Sequence, residues 1–174
     1  LRNFMASIDI VERIDDNLSA ALINPLQGLA ATHAAVGRPD LARLAYQRAV
    51  HVSHVNEGPH NDNQLDVLAA MAELHISQGD FDEAVNIQKR VFSIESRNID
   101  PSSMEMIPAL EKQANWQHRL RQYQNERLTW RQIISIIERH EGRKSLALLS
   151  PLTNLGKSYL FISPVEFQYQ PEVT

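Results

Sequence analysis

The sequence repeats itself every 42 residues. Gly37, Gly79, Arg121 and Ser163 stand one period apart, and aligning them brings Leu26, Leu68, Leu110 and Leu152 into register, then Ala30, Ala72, Ala114 and Gly156. Beyond the aligned position, Ala42 and Ala84 coincide, then Tyr46, Gln88 and Trp130, then Ala49, Val91 and Ile133. A unit repeated in sequence is a supersecondary unit repeated in space, so the period constrains the architecture before any local reading is made. The run Leu22 to Leu26 returns three periods later as Leu148 to Leu152. In both runs a polar residue stands before proline, Asn24-Pro25 and Ser150-Pro151, which predicts a helix start or kink there.

Ala, Leu, Gln, Glu and Arg fill the stretches between only 6 Gly and 8 Pro in 174 residues, a helix-forming composition. The expected fold class is all-α, with each unit an antiparallel pair of amphipathic helices. The predicted helices are residues 18 to 36 and 40 to 56, 62 to 78 and 81 to 97, then 102 to 120 and 123 to 140. Gly79 suits a helix end, and Asp80 and Glu83 have the spacing of a capping box; Asp100-Pro101 repeats the cap-then-proline signal. The expected organisation is one array over 1–163: a second helix of a preceding unit at 1–17, full units at 18–59, 60–101 and 102–143, and a first helix at 144–163. Residues 164–174 read as a linker or tail.

The absence of cysteine excludes disulfides and thiolate zinc sites, and no apolar run reaches membrane-spanning length. The net charge of −4 divides unevenly: residues 1–111 hold 8 Lys/Arg against 16 Asp/Glu, and residues 112–144 hold 8 against 3. In that basic stretch Arg119, Arg121, Arg127 and Arg131 alternate with Gln and Glu, as on a solvated helix face, so nucleic acid is not an expected partner.

Phosphate-loop, dinucleotide and nucleophile-elbow patterns are all missing, and neither an enzyme nor a cofactor is expected. His33 and His75 lie one period apart and read as core residues. His51, His54, Glu57 and His60 have loose spacing, and no metal is expected there. Asp15-Asp16 and Asp80-Asp82 fall at turns, where capping accounts for them. Tyr46, Phe81, Trp130 and Tyr159 recur at repeat positions and read as packing residues.

The residues Leu29-Ala30, His33, Gly37, Ala42, Tyr46 and Ala49 in one copy, with Leu68, Met71-Ala72, His75, Gly79, Phe81 and Ala84 in the next, resemble the tetratricopeptide repeat family. Leu155-Gly156 and Tyr159 recover the pattern at the end, whereas the third copy departs from it at Gln113 and Glu126. With 42 rather than 34 residues per unit, the chain looks like the longer variant found in kinesin light chains and many bacterial proteins. The tail, with Phe161, Pro164, Phe167, Tyr169 and Pro171, is similar to parts of large bacterial envelope proteins of this repeat type.

The resemblance implies a right-handed superhelix whose first helices line a concave, peptide-binding side. Carried over residue by residue, its groove positions are Gln27, Ala31, Glu73, Glu111, Asn115, His118, Arg119, Thr153 and Lys157. Ala34, Ala69 and Ile76 belong to the same series. Gln27 and Ala31 stand where the carboxylate clamp of chaperone-binding members would open, so that activity is not expected. The expected role is a scaffold for a protein or extended peptide; the alternative is a spacer or oligomerisation segment that self-associates through exposed array ends.

Overall fold

The structure is a computed structural model and describes residues 1–161, so the turn expected at Ser163 and the tail 164–174 lie outside the described residues. The described residues form eight α-helices and no strand: α1 (Arg2–Ile14), α2 (Ile23–Ala35), α3 (Pro39–Glu57), α4 (Leu65–Gln78), α5 (Phe81–Glu95), α6 (Ile107–Arg119), α7 (Tyr123–Glu141) and α8 (Leu149–Ser158). A 3-10 turn precedes each even-numbered helix, at Ala20–Leu22, Asp62–Gln64, Met104–Met106 and Leu146–Leu148, each 42 residues after the last.

Those turns move the helix starts away from the prolines. Ser19 and Ser145 cap the first and last of them, each accepting a hydrogen bond from the backbone N–H two residues on. Pro25 and Pro151 fall third in their helices rather than first. That position is tolerated because no N–H of a first helical turn has an intrahelical acceptor.

The turns between paired helices share one backbone solution. Gly37 and Gly79 are left-handed, with φ of 71° and 78°, and Arg121 adopts φ 57° in the same conformation without being glycine. The N–H of Arg38 donates to the His33 carbonyl, that of Asp80 to His75 and that of Gln122 to Gln117, a six-residue closure that recurs in register.

The chain divides into two compact units, Leu1–Ile94 and Glu95–Thr174. In the first, Leu22, Leu26, Ala30, Tyr46, Val52 and Leu68 form the centre of a core that Val91 and Ile94 extend. The second unit buries Leu110, Ala114, Trp130, Ile133, Ile136 and Ile137. Repeat position decides burial: Leu26, Leu68 and Leu110 are 2%, 2% and 1% exposed, each contributing about 1.5 to 3 kcal/mol by leaving water. Leu152, the fourth of that series, is 50% exposed.

Small residues set how closely helices approach. Ala30, Ala72 and Ala114 are fully buried. Gly28 lies beneath the ring of Phe4 from α1, which leaves no room for a Cβ there.

Candidate functional site

Two histidines one period apart meet different fates. Both are buried, His33 at 9% and His75 at 5% exposure, as expected of core residues. The Nδ1 of His75 lies 2.9 Å from Oδ2 of Asp80, so Asp80 ties the turn back to α4 instead of serving only α5. Arg38 stands one period before Asp80, and Nδ1 of His33 is buried without a hydrogen-bond partner. A buried, unsatisfied polar atom costs about 1 to 3 kcal/mol.

In the first unit α2 and α4, the first helices of their pairs, flank a cleft of about 360 Å³. Asn24, Gln27, Gly28 and Ala31 come from α2, Asp66, Val67 and Ala70 from α4, and Tyr46 of α3 forms part of the lining. Gln27 and Ala31, four residues apart on one helix face, are the two groove positions that meet in it. Asn24, Gly28 and Asp66 were missed by the carried-over set; small residues at Gly28, Ala31 and Ala70 on adjacent first helices were the readable signal. Burial pushes the Tyr46 hydroxyl above the ordinary tyrosine range. Glu73, the remaining groove position in this unit, is exposed on α4 outside that lining.

In the second unit Glu111 is half-buried on α6, and Asn115 and Arg119 are exposed on the same helix. The Arg119 guanidinium lies 4.5 Å from the centre of the Trp116 ring. His118 is engaged from several sides: its Nδ1 is 3.0 Å from Oε2 of Glu126, and its ring meets Tyr123 and Phe161 edge-on at 5.7 and 4.9 Å. Glu126 is only 5% exposed and also accepts from the Trp130 indole N–H at 3.3 Å. The carboxylate that breaks the repeat pattern is therefore hydrogen-bonded on both oxygens, as a buried charge requires. Thr153 and Lys157 are exposed on α8.

Two of the four expected packing aromatics are not in the core. Tyr46 and Trp130 are buried, but Phe81 is 43% and Tyr159 51% exposed. Phe81 opens α5, whose first three residues are all exposed. Tyr159 instead receives the basic series: Arg131 donates to its hydroxyl at 2.5 Å and the Arg127 guanidinium lies 4.6 Å from its ring centre. Arg127 also donates to the Phe161 carbonyl at 2.7 Å, so two of the four arginines hold the end of α8 rather than forming a purely solvated face.

His51, His54, Glu57 and His60 are all exposed, and Asn63 donates to Glu57 at 2.8 Å. Among the described residues no three His, Asp or Glu side chains are placed to share a metal ion. No described helix is long and apolar enough to cross a membrane.

The tetratricopeptide repeat family matches residues 26–97, which span the α2 to α5 helices around the cleft. Residues 26–97 are similar to tetratricopeptide repeats. Among solved structures, the nearly identical TPR-like repeats assigned to a kinesin light chain of Podosopora anserina superpose with a TM-score of 0.68 at 15% identity, covering 97% of this chain and 78% of that one. A single-substitution variant of those repeats gives 0.66 with the same identity and coverage. BtubC (BKLC) from P. vanneervenii gives 0.61 at 17% identity, covering 95% of this chain and 65% of that one. At such identities the likeness establishes the fold alone, that of an all-α chain of TPR-like helical repeats. No curated protein matches the sequence.

Proposed function

We propose that this TPR chain is a scaffold that binds a protein segment along the face formed by the first helices of its repeats, without catalysis. Tetratricopeptide repeats are in general protein-interaction modules, and the observation that carries the reading is the α2/α4 cleft. It has small walls, a tyrosine in its lining and polar groups from Asn24, Gln27 and Asp66, which suits one side chain of an extended peptide and its backbone amides. The proposed groove comprises Gln27, Ala31 and Glu73 in the first unit and Glu111, Asn115, His118, Arg119, Thr153 and Lys157 in the second. The proposed repeat boundaries are 18–59, 60–101 and 102–143, with partial units on either side.

A photo-cross-linking side chain at position 31 tests this, with the exposed position 132 on α7, which lines neither cleft, as control. Capture of a discrete partner from cell extract at 31 and not at 132 is the expected result, and Gln27→Lys should weaken it. An Arg119→Glu, Lys157→Glu double variant should alter affinity by about 1 kcal/mol per exposed charge and change its salt dependence. Equal capture at both positions would refute the inner-face reading.

A second reading, self-association, draws support from apolar side chains at both ends of the described chain. Ile10 and Ile14 of α1 are exposed, as are Leu149 and Leu152 of α8. Sedimentation of the chain at micromolar concentration tests it, a strictly monomeric species being the result against it.

A further inference from the structure

In the first unit a second cleft, of about 280 Å³, opens between the second helices α3 and α5, with α4 as its floor. Val50, Leu68, Met71 and Ile87 make it apolar, with Gln47, Asn86 and Arg90 as its polar lining. Arg90 is half-buried and donates to Oε1 of Gln64, a side chain that is itself fully buried. Among the described residues Arg90 makes no salt bridge.

The preceding repeat shows what such an arginine holds. Arg48 stands one period before Arg90, and there the guanidinium takes the carboxylate of Glu12 from α1, the preceding second helix, together with the Asn17 carbonyl at 3.3 Å. One period after Glu12 the residue is His54, and one period after Asn17 it is Pro59. The α3/α5 cleft therefore repeats the arginine without repeating the acid.

We infer that the α3/α5 cleft is a second docking site, taking a peptide segment in which a bulky aliphatic side chain fills the apolar slot and an adjacent carboxylate pairs with Arg90. The complementarity is that of the Arg48–Glu12 pair with the acid supplied by the guest. A half-buried guanidinium beside apolar walls holds a carboxylate more firmly than a solvated one does, because charge-assisted hydrogen bonds strengthen where water is sparse. The site shares α3 and α4 with the first cleft but none of its lining residues, and it does not depend on the function proposed for that cleft.

The test uses the whole chain, isotopically labelled, titrated with N-acetyl-Leu-Glu-amide and, as control, N-acetyl-Leu-Gln-amide. Saturable shifts of the Gln47 and Asn86 side-chain amides in about the millimolar range are expected, with the Glu probe about fivefold tighter. Arg90→Gln should erase that preference. Because Arg90 also touches Gln64, a second variant, His54→Glu, restores an internal acid at an exposed position and should equalise the two probes while the fold persists. Absent shifts at the lining residues, equal affinities in the unaltered chain, or a preference that survives His54→Glu would each overturn the inference.

Discussion

The two units build one repeat position in opposite ways. At Ala42 and Ala84 in the first unit a methyl group is fully buried, whereas the second unit places Glu126 there and buries it almost as deeply. The exchange is not isolated. Where Ala34 and Ile76 stand in earlier repeats the third has His118, and where Tyr46 and Gln88 stand it has Trp130. His118 and Trp130 are the two groups that satisfy the Glu126 carboxylate. A repeat thus fixes the backbone at each position, but a buried charge enters only with its whole set of partners.

The comparison breaks most sharply at Ala84→Glu. That carboxylate would be buried with Ile76 where His118 would have to be, and the expected loss is about 3 to 5 kcal/mol in a urea melt. Adding Ile76→His should recover part of it. The Nε2 of Gln88, one period before Trp130, is buried without a hydrogen-bond partner, so a single variant that melts within about 1 kcal/mol of the parent would show that this one donor suffices.

A smaller effect tests the two histidines. Arg38→Asp places in the first turn the acid that His75 finds in Asp80, and giving the orphaned His33 nitrogen a partner should raise stability by about 1 kcal/mol. No change in the denaturation midpoint would mean that His33 finds its partner in water.

Arg121→Gly should stabilise by up to about 1 kcal/mol, because the third turn demands a left-handed residue that the first two supply as glycine. Thermal melting of the variant reads this directly.

The smallest effect concerns pH. The backbone N–H and the hydroxyl of Ser102, each 2.8 Å away, hold Asp100 below the ordinary carboxylate range. Its folded value is depressed, so its contribution is present at neutral pH and fades as pH falls through the acid range below about 4. Asp100→Asn should lower stability at neutral pH slightly and flatten that acid limb, as denaturant melts across the acid range would read.

The fold was legible because burial follows the 42-residue register, which the leucines, alanines and turn glycines carry openly. A helix start or kink was read at Pro25 and Pro151 because a proline is visible in sequence and the preceding 3-10 turn is not: Ser19 and Ser145 cap it with ordinary serines. At the groove, the carried-over positions gave Gln27 and Ala31 but not Asp66, whose role depends on how two helices face each other. The engagement of His118 was hidden because its partner lies eight residues on, across a turn. Glu126 in a position otherwise held by alanine was the available signal, since a buried acid implies donors nearby.

The grip of Arg127 on the end of α8 gives the second unit a mechanical asymmetry. Its guanidinium holds the carbonyls of Ser158 and Phe161, just past the last turn of α8, while the Phe161 ring stacks on Tyr123. Tension applied at Phe161 would therefore load α7 through these fastenings before α8 could peel away. Force would be shared between two helices, and the first rupture would be the loss of a clasp rather than the unwinding of a helix.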